Sequence, residues 1–163
     1  MTSDTLTTLA TLVGAKLKAQ GITLTTAESC TGGWVAQAVT AIAGSSEWFE
    51  RGFVTYSNAA KMEMLRVKAD TLRTHGVVSE QTAREMAAGA LAHSRAQVAL
   101  AITGIAGPSG GSPEKPLGMV CFAWAVKEGV LSAETLHFKG NRESVRRQSV
   151  IAALQGVLEL LEG

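Results

Sequence analysis

The chain has 163 residues, 46% of them hydrophobic and 18% charged, with a formal net charge of +1. That balance describes a globular domain with a sizeable core and excludes a disordered chain; without a long basic run it also argues against a nucleic-acid binder. The apolar stretches are strand length, far short of the roughly 20 residues a membrane helix needs, and residues 1–4 lack the basic and apolar regions of a signal peptide.

Residues 4–19 place Leu6, Leu9, Leu12, Val13 and Leu17 on one helical face, with Asp4 near the start and Lys16 and Lys18 near the end. Gly21 ends that helix, and the β-branched run 22–26 predicts a strand. A polar turn follows, with Glu28, Ser29, Cys30, Thr31, Gly32 and Gly33, and leads into an apolar helical pattern from about Thr31 to Ala43. A strand that runs through a turn into a helix puts the turn at the carboxyl end of a sheet, where open α/β folds bind ligands. Unpaired N–H groups and the helix dipole would then face whatever binds there, and Ser29 would sit as a nucleophile over an anion-binding mouth. The bland reading makes Ser29 a helix N-cap and the two glycines a packing device.

Residues 49–56 predict a second strand, and Ser57-Asn58 opens a short helix through Leu65 with Lys61 in its first turn. A cation there opposes the dipole, which lowers the lysine pKa toward the neutral amine, a competent general base. Tyr56 supplies a phenol just before it; the bland reading of Lys61 is a solvated surface lysine. A short helix over 69–75 is followed by an extended piece and by a helix capped by Ser79 and rich in small residues, to about Ser94. Residues 98–102 read as a buried parallel-type strand.

The stretch 103–116 holds four glycines and all three prolines of the chain, directly after that strand. Glycine-freed N–H groups make anion nests, and Thr103, Gly104 and Gly107 abut the strand end. Strands over 117–126 and 131–138 form a hairpin around residues 127–129, so the sheet is mixed and mostly parallel. Asn141 caps the last helix; Arg142 in its first turn suits a phosphate, whereas Arg146 and Arg147 read as a solvated face. His75, His93 and His137 lie outside the glycine-rich turns, which leaves a Ser/His/Asp triad little support. Cys30 and Cys121 are too few for a disulfide framework, and no spacing suggests a zinc site. Cys30 at a helix N-terminus is a candidate acidified thiol. Ser29, Lys61 and Tyr56 supply the parts of a serine activated by a neutral lysine.

Ala27-Glu28-Ser29-Cys30-Thr31-Gly32-Gly33, Tyr56-Ser57-Asn58 with Lys61, Val78-Ser79-Glu80, Thr103-Gly104-Ile105-Ala106-Gly107-Pro108 and Lys115-Pro116-Leu117-Gly118 together resemble the CinA C-terminal-domain family over nearly the whole chain. The resemblance implies one three-layer α/β/α sandwich over 1–163. It also implies a nicotinamide-nucleotide amidase that hydrolyses the carboxamide of nicotinamide mononucleotide to nicotinate mononucleotide and ammonia. The family's Ser/Lys pair falls on Ser29 and Lys61, and its assisting tyrosine on Tyr56. Glu28, Cys30, Thr31, Gly32, Gly33, Ser79, Thr103, Gly104, Gly107 and Arg142 are then expected to bind substrate. No metal and no cofactor are expected; the partner is a small nucleotide, not nucleic acid or membrane, for a cytoplasmic homodimer. A non-catalytic nucleotide-binding module is the alternative. Two residues depart from the family pattern: Arg51 and Arg66 stand where glycine is usual. The nucleotide-pyrophosphatase-like domain of longer members has no counterpart in these motifs, so that activity is not expected.

Overall fold

The computed structural model describes residues 2–162, with side chains from Thr5 onward; the Asp4 charge expected at the first helix start and the segment 1–4 read for a signal lie outside the described side chains. The elements run α1 (Thr2–Gln20), β1 (Leu24–Glu28), α2 (Trp34–Thr40), β2 (Phe49–Val54), α3 (Asn58–Leu65), α4 (Ala69–His75), α5 (Glu80–Ala92), β3 (Val98–Gly104), β4 (Met119–Val126), β5 (Leu131–His137) and α6 (Arg142–Glu162). A short 3₁₀ turn at Ser45–Glu47 precedes β2. The five strands form one sheet in the order β2-β1-β3-β4-β5. β1 pairs parallel with β2 and β3, while β4 is antiparallel to both β3 and β5. The reversed strand is therefore β4, one place in from the edge, and only half of the pairings are parallel.

Alternation along the central strands sorts large from small side chains. Val98, Leu100 and Ile102 of β3 and Val120, Phe122 and Trp124 of β4 face α1, α2 and α6. Ala99, Ala101, Cys121, Ala123 and Ala125 face the opposite way, toward α5, which meets them with Ala83, Met86, Ala87 and Ala90. The small residues on both surfaces bring α5 close to the sheet. Gly89 extends that closeness to α3: a Cβ at this position would lie 1.9 Å from the Leu65 carbonyl oxygen.

The second helix is shorter than the sequence pattern predicts. Gly32 and Gly33 have φ of 60° and 102°, left-handed values, so α2 starts only at Trp34. The glycines thus shape the turn and are not part of the helix. Ser79 and Asn141 do cap: Thr82 N–H donates to Ser79 Oγ at 3.1 Å, and Ser144 N–H to Asn141 Oδ1 at 2.9 Å. Among the described residues no helix is long and apolar enough to cross a membrane.

Arg66 closes α3 with φ of 61°, a conformation that costs an ordinary side chain about 1–2 kcal/mol and glycine almost nothing. Arg51, at the outer edge of β2, instead keeps ordinary partners in Glu50 and the His93 carbonyl. We predict that Arg66→Gly stabilises the fold by about 0.5–1 kcal/mol, the left-handed relief less the added entropy of the unfolded chain. Urea unfolding should show a higher midpoint at unchanged slope.

Candidate active site

The order β2-β1-β3 means that the chain leaves β1 to one side and returns as β3 on the other. The carboxyl ends of these two strands form the switch-point crevice at which open α/β sheets bind ligands. Ser29 follows β1 directly, and its N–H donates to the Ile102 carbonyl of β3 at 3.0 Å. A cavity of about 270 Å³ opens there, lined by Ser29, Cys30, Tyr56, Val77, Arg142 and the stretch 104–107 with Ser109 and Gly110. Arg142 is the one charged side chain in this lining, so the crevice suits an anion.

Lys61 comes up from α3 beneath the serine. Its side chain is fully buried, and Nζ lies 3.1 Å from Ser29 Oγ, 2.9 Å from the Thr55 carbonyl and 3.3 Å from the Tyr56 carbonyl. Nζ donates to the two carbonyls, and Ser29 Oγ is its third oxygen partner. Burial pushes the Lys61 pKa below its ordinary 10.5. The cause is loss of water, not the helix dipole invoked from sequence, and among the described residues no carboxylate pairs with Lys61.

Glu28 turns away from the crevice. Its buried carboxylate accepts from Thr31 Oγ1 at 2.7 Å and from the N–H groups of Val35 and Ala36 at 2.9 and 3.0 Å, which caps α2. On the other side, Arg146 donates from Nε to the Cys30 carbonyl at 3.0 Å and from Nη2 to the Thr31 carbonyl at 3.1 Å. Its guanidinium carbon lies 5.4 Å from the centre of the Trp34 ring. Arg142, one turn earlier, donates to the Gly107 carbonyl at 2.9 Å and to the Tyr56 hydroxyl at 3.1 Å.

A family model for the CinA C-terminal domain matches residues 6–161. The chain belongs to the CinA C-terminal-domain family. It is 57% identical over 155 residues to the nicotinamide-nucleotide amidohydrolase PncC of Escherichia coli (strain K12), which covers 95% of this chain and 94% of that protein. The protein of the same description from Pseudomonas putida is 51% identical over 96% of this chain and 98% of its own length. The crystal structure of the competence/damage inducible protein CihA from Agrobacterium tumefaciens matches with a TM-score of 0.94 at 46% identity, covering 98% and 96% of the two chains.

In this CinA C-terminal domain the expected site residues divide in two. Ser29, Cys30, Tyr56, Gly104, Gly107 and Arg142 line the cavity, with Lys61 directly beneath. Glu28, Thr31, Ser79 and Thr103 have their polar atoms occupied elsewhere: Ser79 caps α5, and Thr103 Oγ1 donates to the Val77 carbonyl at 3.0 Å. Gly32 and Gly33 shape the turn and are not in the lining. Tyr56 is 62% exposed, and its hydroxyl partner is Arg142 rather than the Ser29–Lys61 pair. Arg146 was read from sequence as solvated, yet it grips the turn after Ser29; its four-residue spacing from Arg142 on one helix face was the available signal. Arg147 likewise has a buried Nη2 rather than a solvated one. The acidified Cys30 thiol is overturned: burial pushes its pKa up to about 11 despite the opposing pull of Arg146. His75, His93 and His137 are absent from the cavity lining.

The lowered Lys61 pKa ties stability to pH. The unfolded amine keeps its ordinary 10.5, so between the folded value and 10.5 the unfolded state binds more protons and stability rises with pH. Lys61→Met removes this dependence. The Tm of the wild type minus that of the variant should therefore climb as pH passes from the folded value toward 10.5 and stay flat below it. A difference flat across the whole range would mean that the amine is not shifted.

Proposed function

We propose that this protein is a nicotinamide-nucleotide amidohydrolase in which Ser29 is the nucleophile and Lys61 the general base. The curated relatives of that description, at 51–57% identity over nearly full length, support the reaction. The observation that carries the mechanism is the 3.1 Å contact of a buried, otherwise carbonyl-bound lysine amine with Ser29 Oγ.

In this mechanism the Lys61 lone pair takes the Ser29 proton as Oγ attacks the carboxamide carbon. The C=O pair moves onto oxygen, and the N–H of Cys30, the amide that follows the nucleophile, is the donor assigned to the resulting oxyanion. Lys61 returns its proton to the leaving nitrogen and ammonia departs. Water then attacks the acyl ester, again with Lys61 as base, and the carboxylate product leaves Ser29 free. The Tyr56 backbone carbonyl orients the amine. Arg142, the charged residue of the lining, takes the phosphate of the nucleotide, and the loop through Gly107 encloses it. The reading needs no metal, and it includes the cytoplasmic homodimer that the resemblance implies.

The test is ammonia release from nicotinamide mononucleotide with a chelator present. Wild type should turn over. Ser29→Ala and Lys61→Ala should each lose at least about a thousandfold in kcat, with little change in KM. A thermal shift with the mononucleotide but no ammonia would instead identify a binding module, and loss of activity to the chelator would refute the metal-free reaction.

A further inference from the structure

The first turns of α6 present Arg142 to the cavity and Arg146 to the back of the nucleophile turn. Among the described residues Arg146 pairs with no side-chain anion. Both of its hydrogen bonds to the turn go to backbone carbonyls, those of Cys30 and Thr31. A peptide group is planar and trans, so a carbonyl drawn one way sends the next N–H the other way. The Thr31 carbonyl held by Nη2 belongs to the same peptide as the Gly32 N–H, and that N–H donates to the Ser29 carbonyl at 3.0 Å. The Ser29 carbonyl in turn shares its peptide with the Cys30 N–H. A continuous line of polarised groups therefore runs from the guanidinium through two peptides to the amide that follows the nucleophile. Hydrogen bonds in such a line strengthen one another, and the charge at its far end adds to the dipole at its open end.

We propose that Arg146 is a positioning residue for the reaction: it fixes and polarises the Ser29–Gly32 turn so that the Cys30 amide stabilises the oxyanion. The proposal rests on the Ser29–Lys61 reading above. Three further features fit it. Trp34 stacks on the guanidinium and holds it in place. Gly32, with its φ of 60°, sets the turn beside Nη2, which would be in ordinary contact at 3.6 Å with a Cβ there. Glu28 fixes the other end of the turn through the first N–H groups of α2. An anion and a cation thus grip the turn from its N–H and its carbonyl sides.

The experiment compares Arg146→Gln, Arg146→Lys and Arg142→Gln with wild type, by kcat and KM for ammonia release. It also measures the rate at which a fluorophosphonate labels Ser29. In that labelling the Oγ–P bond forms, the P–F bond breaks, the serine proton passes to Lys61 and fluoride leaves, so no amide substrate is needed. Losing an oxyanion-hole donor costs about 10²–10³ in kcat, and Arg146→Gln should lower kcat and labelling together by about 10- to 1000-fold while KM stays within about threefold. Arg146→Lys, which supplies the charge but not the two-pronged geometry, should recover part of both rates. Arg142→Gln should instead raise KM. An Arg146→Gln kcat within about twofold of wild type, or a rise in KM alone, overturns the proposal. Should the glutamine variant not fold, wild-type rates in Arg146→Lys overturn it equally. Labelling that depends on Arg146 in a protein releasing no ammonia would leave this proposal standing and remove the amidohydrolase reading.

Discussion

The molecule depends on an ammonium-bearing side chain held where water cannot reach it. A buried lysine is among the costlier things a small domain can contain, and among the described residues no counter-ion offsets it. Burial lowers the proton affinity of Lys61, and its Nζ has three oxygen partners, the Thr55 and Tyr56 carbonyls and Ser29 Oγ. In the mechanism proposed above, the feature that would destabilise the fold is the one that activates the serine. Stability and the proposed reactivity then draw on one desolvated atom.

The rest of the architecture keeps that atom in place. The alanine-lined face of the sheet lets α5 sit close, and Gly89 lets it press on the last residue of α3, whose first turns carry Lys61. On the opposite face the larger side chains of β3 and β4 seat α6, whose first turns carry Arg142 and Arg146. The asymmetry between small and large core residues is thus also an asymmetry of function. One face supports Lys61, the other Arg142 and Arg146.

Much of this was legible in the sequence because it is local. The strand-turn-helix around Ser29, the caps at Ser79 and Asn141 and the small residues of α5 are signals within a few positions of one another. What escaped was decided at long range. Glu28 reads as a polar residue in a ligand-binding turn until α2 places two N–H groups on its carboxylate. Arg146 reads as solvated because the carbonyls it holds lie more than a hundred residues earlier. Lys61 was assigned a lowered pKa from the helix dipole, whereas the operative cause is burial, which only the packed protein reveals. Gly32 and Gly33 fall within the helical pattern predicted from about Thr31, and their positive φ values show a turn instead.

The contact between Arg146 and Cys30 spans 116 positions of the chain. During synthesis the segment bearing Ser29 and Lys61 leaves the ribosome long before α6 exists. A nascent chain therefore carries Ser29 and Lys61 before the residue that straps the back of the turn after Ser29 exists. In the mechanism proposed above, the turn is complete only once α6 has folded onto it.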